Sequence, residues 1–345
     1  MRTGMDCNER QQLDYLDIAK GIGIILVVLG HSLSAISNEL TSMAEFVRTI
    51  IYLVHMPLFF TIAGFLFEKN KGNYRKKGIK KYAKSKFFTF MIPYFTFSIV
   101  ITIVAILCEH INALHFIAAK LRLAGISFSA VIKGIFLYIN PLDDHLWFSY
   151  VMFAVLILSF VVAEISEQKV LIFFYVMYII TFFVDLPEIL WKVMRYMLIF
   201  QSGRVIYKRK KDFLNVKVST LFIVFVASTT LYLFLKNEKI GFMGAFKPIA
   251  EVSSSILIIR FSMWLENVRL SKKLIYIGKN SYAVYLMHQP YIVPVIMLLM
   301  SGGLVKNVIA SIVAVFLGVA IPIVIEKQTV SKSKFLSIAV LGGHK

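Results

Sequence analysis

Two ionisable residues stand eleven positions apart in an otherwise apolar stretch, Lys20 and His31 in Lys20-Gly-Ile-Gly-Ile-Ile-Leu-Val-Val-Leu-Gly-His31. On an α-helix, eleven residues at about 100° each return to nearly the same face, roughly 16 Å further along. Lys20, Ile24, Val27 and His31 therefore form one stripe. Ionisable groups inside a membrane helix are costly and mark function by default. The ordinary alternative is a snorkelling lysine and a histidine satisfied by a neighbouring helix.

A second apolar stretch carries Arg48 and His55, two turns apart on one face, followed by Pro57. Proline removes a helical hydrogen bond and frees the carbonyl of Leu53. That suits a cavity wall, and it is equally an ordinary membrane-helix kink. His31 and His55 are both expected at depth, where they can meet in one cavity. Asp143-Asp144-His145-Leu-Trp147 stands where another apolar run begins. Asp144, His145 and Trp147 can hold a sugar by hydrogen bonds and a stacking face, or Trp147 is simply a membrane-belt residue. Ser281, Tyr285 and His288 lie at i, i+4 and i+7, a polar stripe for helix contacts or for the entry of a polar donor.

This inventory favours imidazole acid–base work in a dry site. A hydroxyl attacking a thioester needs a base for its proton and stabilisation of an oxyanion. His31 fits the base, with Lys20 or Arg48 as electrostatic support. There is no His-x-x-x-His pair and no Gly-x-Ser-x-Gly elbow, so no metal is expected. His110, His115 and His344 receive no role. Cys7 and Cys108 are the only cysteines, and the topology below puts them on opposite sides of the bilayer, so no disulfide is expected.

The elements that position these residues must be membrane helices. Of 345 residues, 58% are hydrophobic, which excludes an ordinary soluble domain. The expected fold is an all-α polytopic membrane protein, one domain with a core over about 12–325 and a short tail at 326–345. Its spans are 18–36, 46–67, 87–108, 146–163, 170–186, 189–207, 217–235, 244–265, 281–300 and 304–325, of which 170–186 and 189–207 are the weakest. The first 17 residues carry four acids against two arginines, a poor signal-peptide start, so the first span reads as uncleaved. Gly21 and Gly23 suit close helix approach better than phosphate binding.

The formal net charge of +19 comes from cations in short runs between apolar segments. That distribution is one of loop lysines at a membrane face, not of a nucleic-acid binder. Segment 68–86 reads as a loop with nine cations against Glu68 alone, and it belongs on the cytoplasmic side. The apolar piece 126–139 is then best read as non-crossing, because crossing would export the basic runs at 208–211 and 272–273. Ten spans with both termini cytoplasmic result.

The run Leu16-Asp17 through His31-Ser32, together with His55-Met-Pro-Leu-Phe-Phe and Gly64-Phe-Leu, resembles the acyltransferase-3 family of integral membrane acyltransferases. Leu146-Trp147-Phe148 and Ser281 through His288 resemble later blocks, and the branch is similar to fucose 4-O-acetylases. The resemblance implies a bacterial cytoplasmic-membrane enzyme. It takes an acyl group, usually acetyl, from cytoplasmic acetyl-CoA to a sugar hydroxyl of a surface or lipid-linked glycan. It maps the family's first-helix basic residue and histidine onto Lys20 and His31. Lysine lacks the planar fork of the arginine found in many relatives, so a point-charge role survives and a bidentate one does not. The family's basic segment maps onto Arg75 through Lys86, so Arg75, Lys84 and Lys86 are expected at the coenzyme A phosphates, with Lys20, Ser281 and His288; lipid contact explains those cations equally. The runner-up function is a glycan exporter without acyl-transfer chemistry.

Overall fold

A computed structural model of the chain describes residues 13–36, 41–111, 127–137, 142–237 and 241–343. Cys7, His115 and His344 lie outside them. The described residues are helical throughout, without strands. The helices are α1 Asp14–Ala35, α2 Ser42–Lys86, α3 Ile92–His110, α4 Phe128–Leu137, α5 Trp147–Val161, α6 Glu167–Ile180 and α7 Glu188–Lys208. After them come α8 Lys210–Asn215, α9 Val218–Asn237, α10 Lys247–Leu265, α11 Ser271–Lys279, α12 Ser281–Met287, α13 Val293–Met300, α14 Leu304–Gln328 and α15 Lys334–Leu341.

Among the described residues, 7 helical segments are long and apolar enough to cross a membrane. One of them, Ser42–Cys108, holds two of the spans read from the sequence, 46–67 and 87–108. The two that do not qualify are 170–186 and 189–207. Helix α6 has 14 residues, about 21 Å, short of a bilayer core of about 30 Å. Helix α7 is long enough but carries Lys192, Arg195 and Arg204. Helix α4 has 10 described residues, about 15 Å.

The basic segment 68–86 is not a loop. Helix α2 runs on through it and breaks only at Gly78, at φ 73° and ψ 160°, a conformation open to glycine alone. Lysine, glutamate and arginine are good helix formers, so a stretch dense in charge continues the helix instead of ending it. Helical dihedrals also persist through Pro57.

The described chain divides into two compact units. The first comprises residues 1–27, 47–76 and 158–281. Its core joins Leu16 and Ala19 of α1, Leu58, Ile62 and Phe65 of α2, Ile206 of α7 and Ile259 of α10. Small residues set its helix crossings: a Cβ on Gly64 would strike the Phe200 carbonyl, and one on Gly203 the Thr61 carbonyl. Gly21 meets the Leu274 backbone in the same manner, the close approach expected of it. In lipid such backbone contact replaces the hydrophobic drive that brings helices together in water. Gly203→Leu is accordingly expected to cost about 3 kcal/mol or more, since the obstacle is backbone. Gly72→Leu, at a position with nothing within 4 Å, leaves the molecule intact. Thermal denaturation of the detergent-solubilised variants, read by size exclusion, checks the contrast.

The second unit comprises residues 28–46, 77–157 and 282–345. Tyr94 of α3 donates to the Ile135 carbonyl of α4 at 2.8 Å, and Tyr282 of α12 donates to the Thr89 carbonyl at 2.8 Å. The ninth predicted span, 281–300, is discontinuous here. Helix α12 ends at Met287, a π-like turn covers His288–Ile292 with Gln289 extended, and α13 resumes at Val293. Pro290, and Pro294 in the first turn of α13, account for the interruption.

Candidate functional site

Three imidazoles converge in the second unit. The ring of His31, near the end of α1, lies 5.1 Å from that of His288. His288 lies 5.4 Å from His145. The three come from elements far apart in sequence: the C-terminal part of α1, the short turn Asp144–Leu146 that leads into α5, and the break after α12. His145 and His288 are buried, while His31 is half-exposed, so His31 is the member a substrate can reach.

The surroundings set the protonation of two of the rings. His288 Nδ1 faces the carbonyls of Val284 at 2.9 Å and Tyr285 at 2.8 Å. A carbonyl only accepts, so Nδ1 carries the proton and Nε2 holds the lone pair. His145 Nδ1 is bonded to the carboxylate of Asp143, which again leaves Nε2 basic. That Nε2 is buried and without a hydrogen-bond partner, as is Oδ2 of Asp143. A buried polar atom left open in this way calls for an explanation. Burial pushes the Asp143 carboxyl above the ordinary carboxylate range, and the adjacent His145 opposes the shift.

Aromatic contacts hold the frame. Tyr285 donates its hydroxyl to the His145 carbonyl at 2.9 Å and packs edge-on to the His145 ring at 5.5 Å. Phe148 meets Tyr285 at 5.1 Å. Together these contacts tie the start of α5 to α12. The sequence singles out Asp144 as the acid of this group, but Asp144 is exposed and Asp143 is the residue turned inward. Trp147 is half-buried and packs on Phe148 at 6.3 Å.

The remaining candidates make contacts of their own. His55 belongs to the first unit; its Nδ1 donates to the Ile51 carbonyl at 2.6 Å, and its ring packs on Tyr52 at 4.9 Å. The Arg48 guanidinium lies 5.9 Å from the centre of the Tyr52 ring. Lys20 is paired with Asp17, one turn earlier in α1, at 2.6 Å. Arg75 pairs with Glu164 at 2.6 Å and stacks over Phe160 at 5.0 Å. Lys84 is exposed, Lys86 lies 5.5 Å over the Tyr82 ring, and Ser281 is buried at the start of α12.

Two buried ion pairs in the first unit escape a reading of the sequence alone. Arg204 is fully buried; Nε donates to Glu68 Oε2 at 2.7 Å, Nη1 to Gln201 at 2.9 Å and Nη2 to the Ala163 carbonyl at 3.3 Å. Arg195 pairs with the fully buried Glu251. The signal for both lay in arginines inside an apolar segment, which require a partner. Among the described residues there is no group of His, Cys, Asp and Glu able to hold a metal.

A family model described as an acyltransferase domain matches residues 13–327, nearly the whole chain. No curated protein and no solved structure matches the chain.

Proposed function

From the chain's membership of the acyltransferase-3 family, whose domain spans residues 13–327, we propose a membrane-embedded O-acyltransferase. It moves an acyl group, acetyl in this reading, from acyl-CoA to a sugar hydroxyl of a cell-surface or lipid-linked glycan at a bacterial cytoplasmic membrane. The observation that carries the reading is the convergence of His31, His145 and His288, with Asp143 behind them.

In the proposed reaction the acceptor hydroxyl approaches His31, the accessible ring. As its oxygen bonds to the thioester carbonyl carbon, its proton passes to the imidazole. The resulting oxyanion collapses, the C–S bond breaks, and the thiolate takes the proton back from the imidazolium. The buried carboxylate of Asp143, held against His145, supplies negative charge near the imidazolium while it exists. The parts of Lys20 and His55 rest on the family resemblance, and that of Arg48 on its charge.

Asp143→Asn is expected to lower transfer by about 10²-fold while the protein still elutes as a folded species. Acetyl incorporation from labelled acetyl-CoA into membranes reads this directly, and incorporation equal to wild type removes the dyad from the reaction. One observation favours the exporter as a second reading: the break at His288–Ile292. Interrupted membrane helices line the sites of many transporters. Glycan crossing vesicles at full rate with no acyl donor supports that reading against the first.

A further inference from the structure

We propose that a basic, aromatic-walled pocket in the first unit binds the phosphate-bearing adenosine end of the acyl donor. The proposal rests on the donor being acyl-CoA. The cavity, about 370 Å³, is lined by Tyr15, Phe65, Lys69, Tyr207, Lys208 and Lys210, with Leu13 at its edge. Its volume falls in the range of about 300–1,000 Å³ typical of ligand sites. These are not the cations that the sequence offers for this task.

Three lysines line the wall, and no acidic residue does. Three acids, Glu68, Glu167 and Glu266, stand beside the pocket lysines without lining the cavity. Glu68 is held by Arg204 at 2.7 Å and Glu167 stands 3.6 Å from Lys208, as does Glu68. At that distance neither acid makes a close charge-assisted bond, so Lys208 keeps donors for an incoming anion. Glu266 accepts from the Tyr15 backbone N–H at 2.9 Å, serving the start of α1.

Aromatic rings complete the site. Tyr207 meets Phe65 edge-on at 5.0 Å, and Lys210 Nζ lies 5.6 Å over the Tyr15 ring. Tyr15 and Phe65 are buried, so a base can stack on Tyr207, the partly exposed ring, while its phosphates meet the lysines. The floor is firm, because Tyr15 and Phe65 belong to the core formed with Leu16, Ala19 and Ile206. A pocket for a single inorganic anion has no use for that aromatic wall. A lipid headgroup shares the phosphate chemistry and lacks the base.

The test uses the purified full chain in nanodiscs and measures binding of coenzyme A, adenosine 3′,5′-bisphosphate and inorganic phosphate, with and without phosphatidylglycerol in the disc. Lys208→Gln/Lys210→Gln is expected to weaken coenzyme A and the bisphosphate about tenfold or more. Tyr207→Ala is expected to weaken both organic ligands and leave phosphate unchanged. Lys208→Arg/Lys210→Arg retains binding, which separates loss of charge from loss of fold. If wild type binds coenzyme A and the double glutamine variant binds it equally well, the pocket assignment is wrong and the donor stands. Loss confined to phosphatidylglycerol also overturns the assignment, in favour of a headgroup. If wild type binds neither coenzyme A nor the bisphosphate, the donor itself is wrong and the assignment goes with it.

Discussion

His31→Ala lowers acyl transfer by about 10²- to 10⁴-fold, the range set by removing a positioned acid–base group. The loss falls on kcat more than on KM, because the imidazole is needed as the proton moves and contributes little to holding the donor. His31 is the most accessible ring of the cluster, so no second imidazole is placed to take over its contact with substrate. In the proposed reaction Asp143 acts through His145, which stands 5.4 Å from His288, itself 5.1 Å from His31. A group that works only through another adds little once the first is gone. The double variant His31→Ala/Asp143→Asn is therefore expected to be no slower than His31→Ala alone. Initial rates of labelled-acetyl transfer in membranes, compared across the four proteins of this cycle, check both statements. Additive losses would place His31 and Asp143 in separate roles.

The second large effect concerns assembly. Glu68→Leu is expected to destabilise the protein by about 3–5 kcal/mol, the cost of leaving one member of a buried pair uncompensated. The direction of the substitution matters. Arg204 is fully buried, and without Glu68 its charge is left with neutral partners, Gln201, the Ala163 carbonyl and the Phe67 ring. Glu68, in contrast, has Lys71 and Lys208 each at 3.6 Å, so Arg204→Met leaves it with substitutes and costs less. The double variant Glu68→Leu/Arg204→Met removes both charges and is expected to recover most of the loss. Against a total of about 5–15 kcal/mol, the single Glu68 variant stands near the edge of folding. The temperature at which half the detergent-solubilised protein remains monodisperse ranks the three. Equal losses from both single variants would mean that the lysines do not stand in for Arg204.

How much of this was legible in the sequence depends on how local the cause is. The Lys20–His31 stripe and the helix at 128–137 follow from spacing and pattern within one segment, and both lie on helices in the structure. Which acid serves His145 is not: Asp143 and Asp144 are adjacent and of one type, and only the short turn decides which faces inward. Glu68 reads as the lone acid of a basic stretch, yet its partner Arg204 lies 136 residues away. Charge density in 68–86 misled about its shape, because lysine repels a bilayer without breaking a helix. The break in 281–300 was announced by Pro290, while its pairing with His31 and His145 required the tertiary structure. Lys208 and Lys210 appeared only as a topology signal, and the pocket they line is assembled from three separate segments of the chain.

The most direct test is made on membrane vesicles that expose the Lys208 face, supplied with acetyl-CoA labelled in the acetyl group. Wild-type vesicles are expected to accumulate alkali-labile label in glycan, and His31→Ala vesicles to accumulate almost none. Ester label appearing equally in both would contradict the account, as would glycan that emerges from wild-type vesicles carrying no label at all.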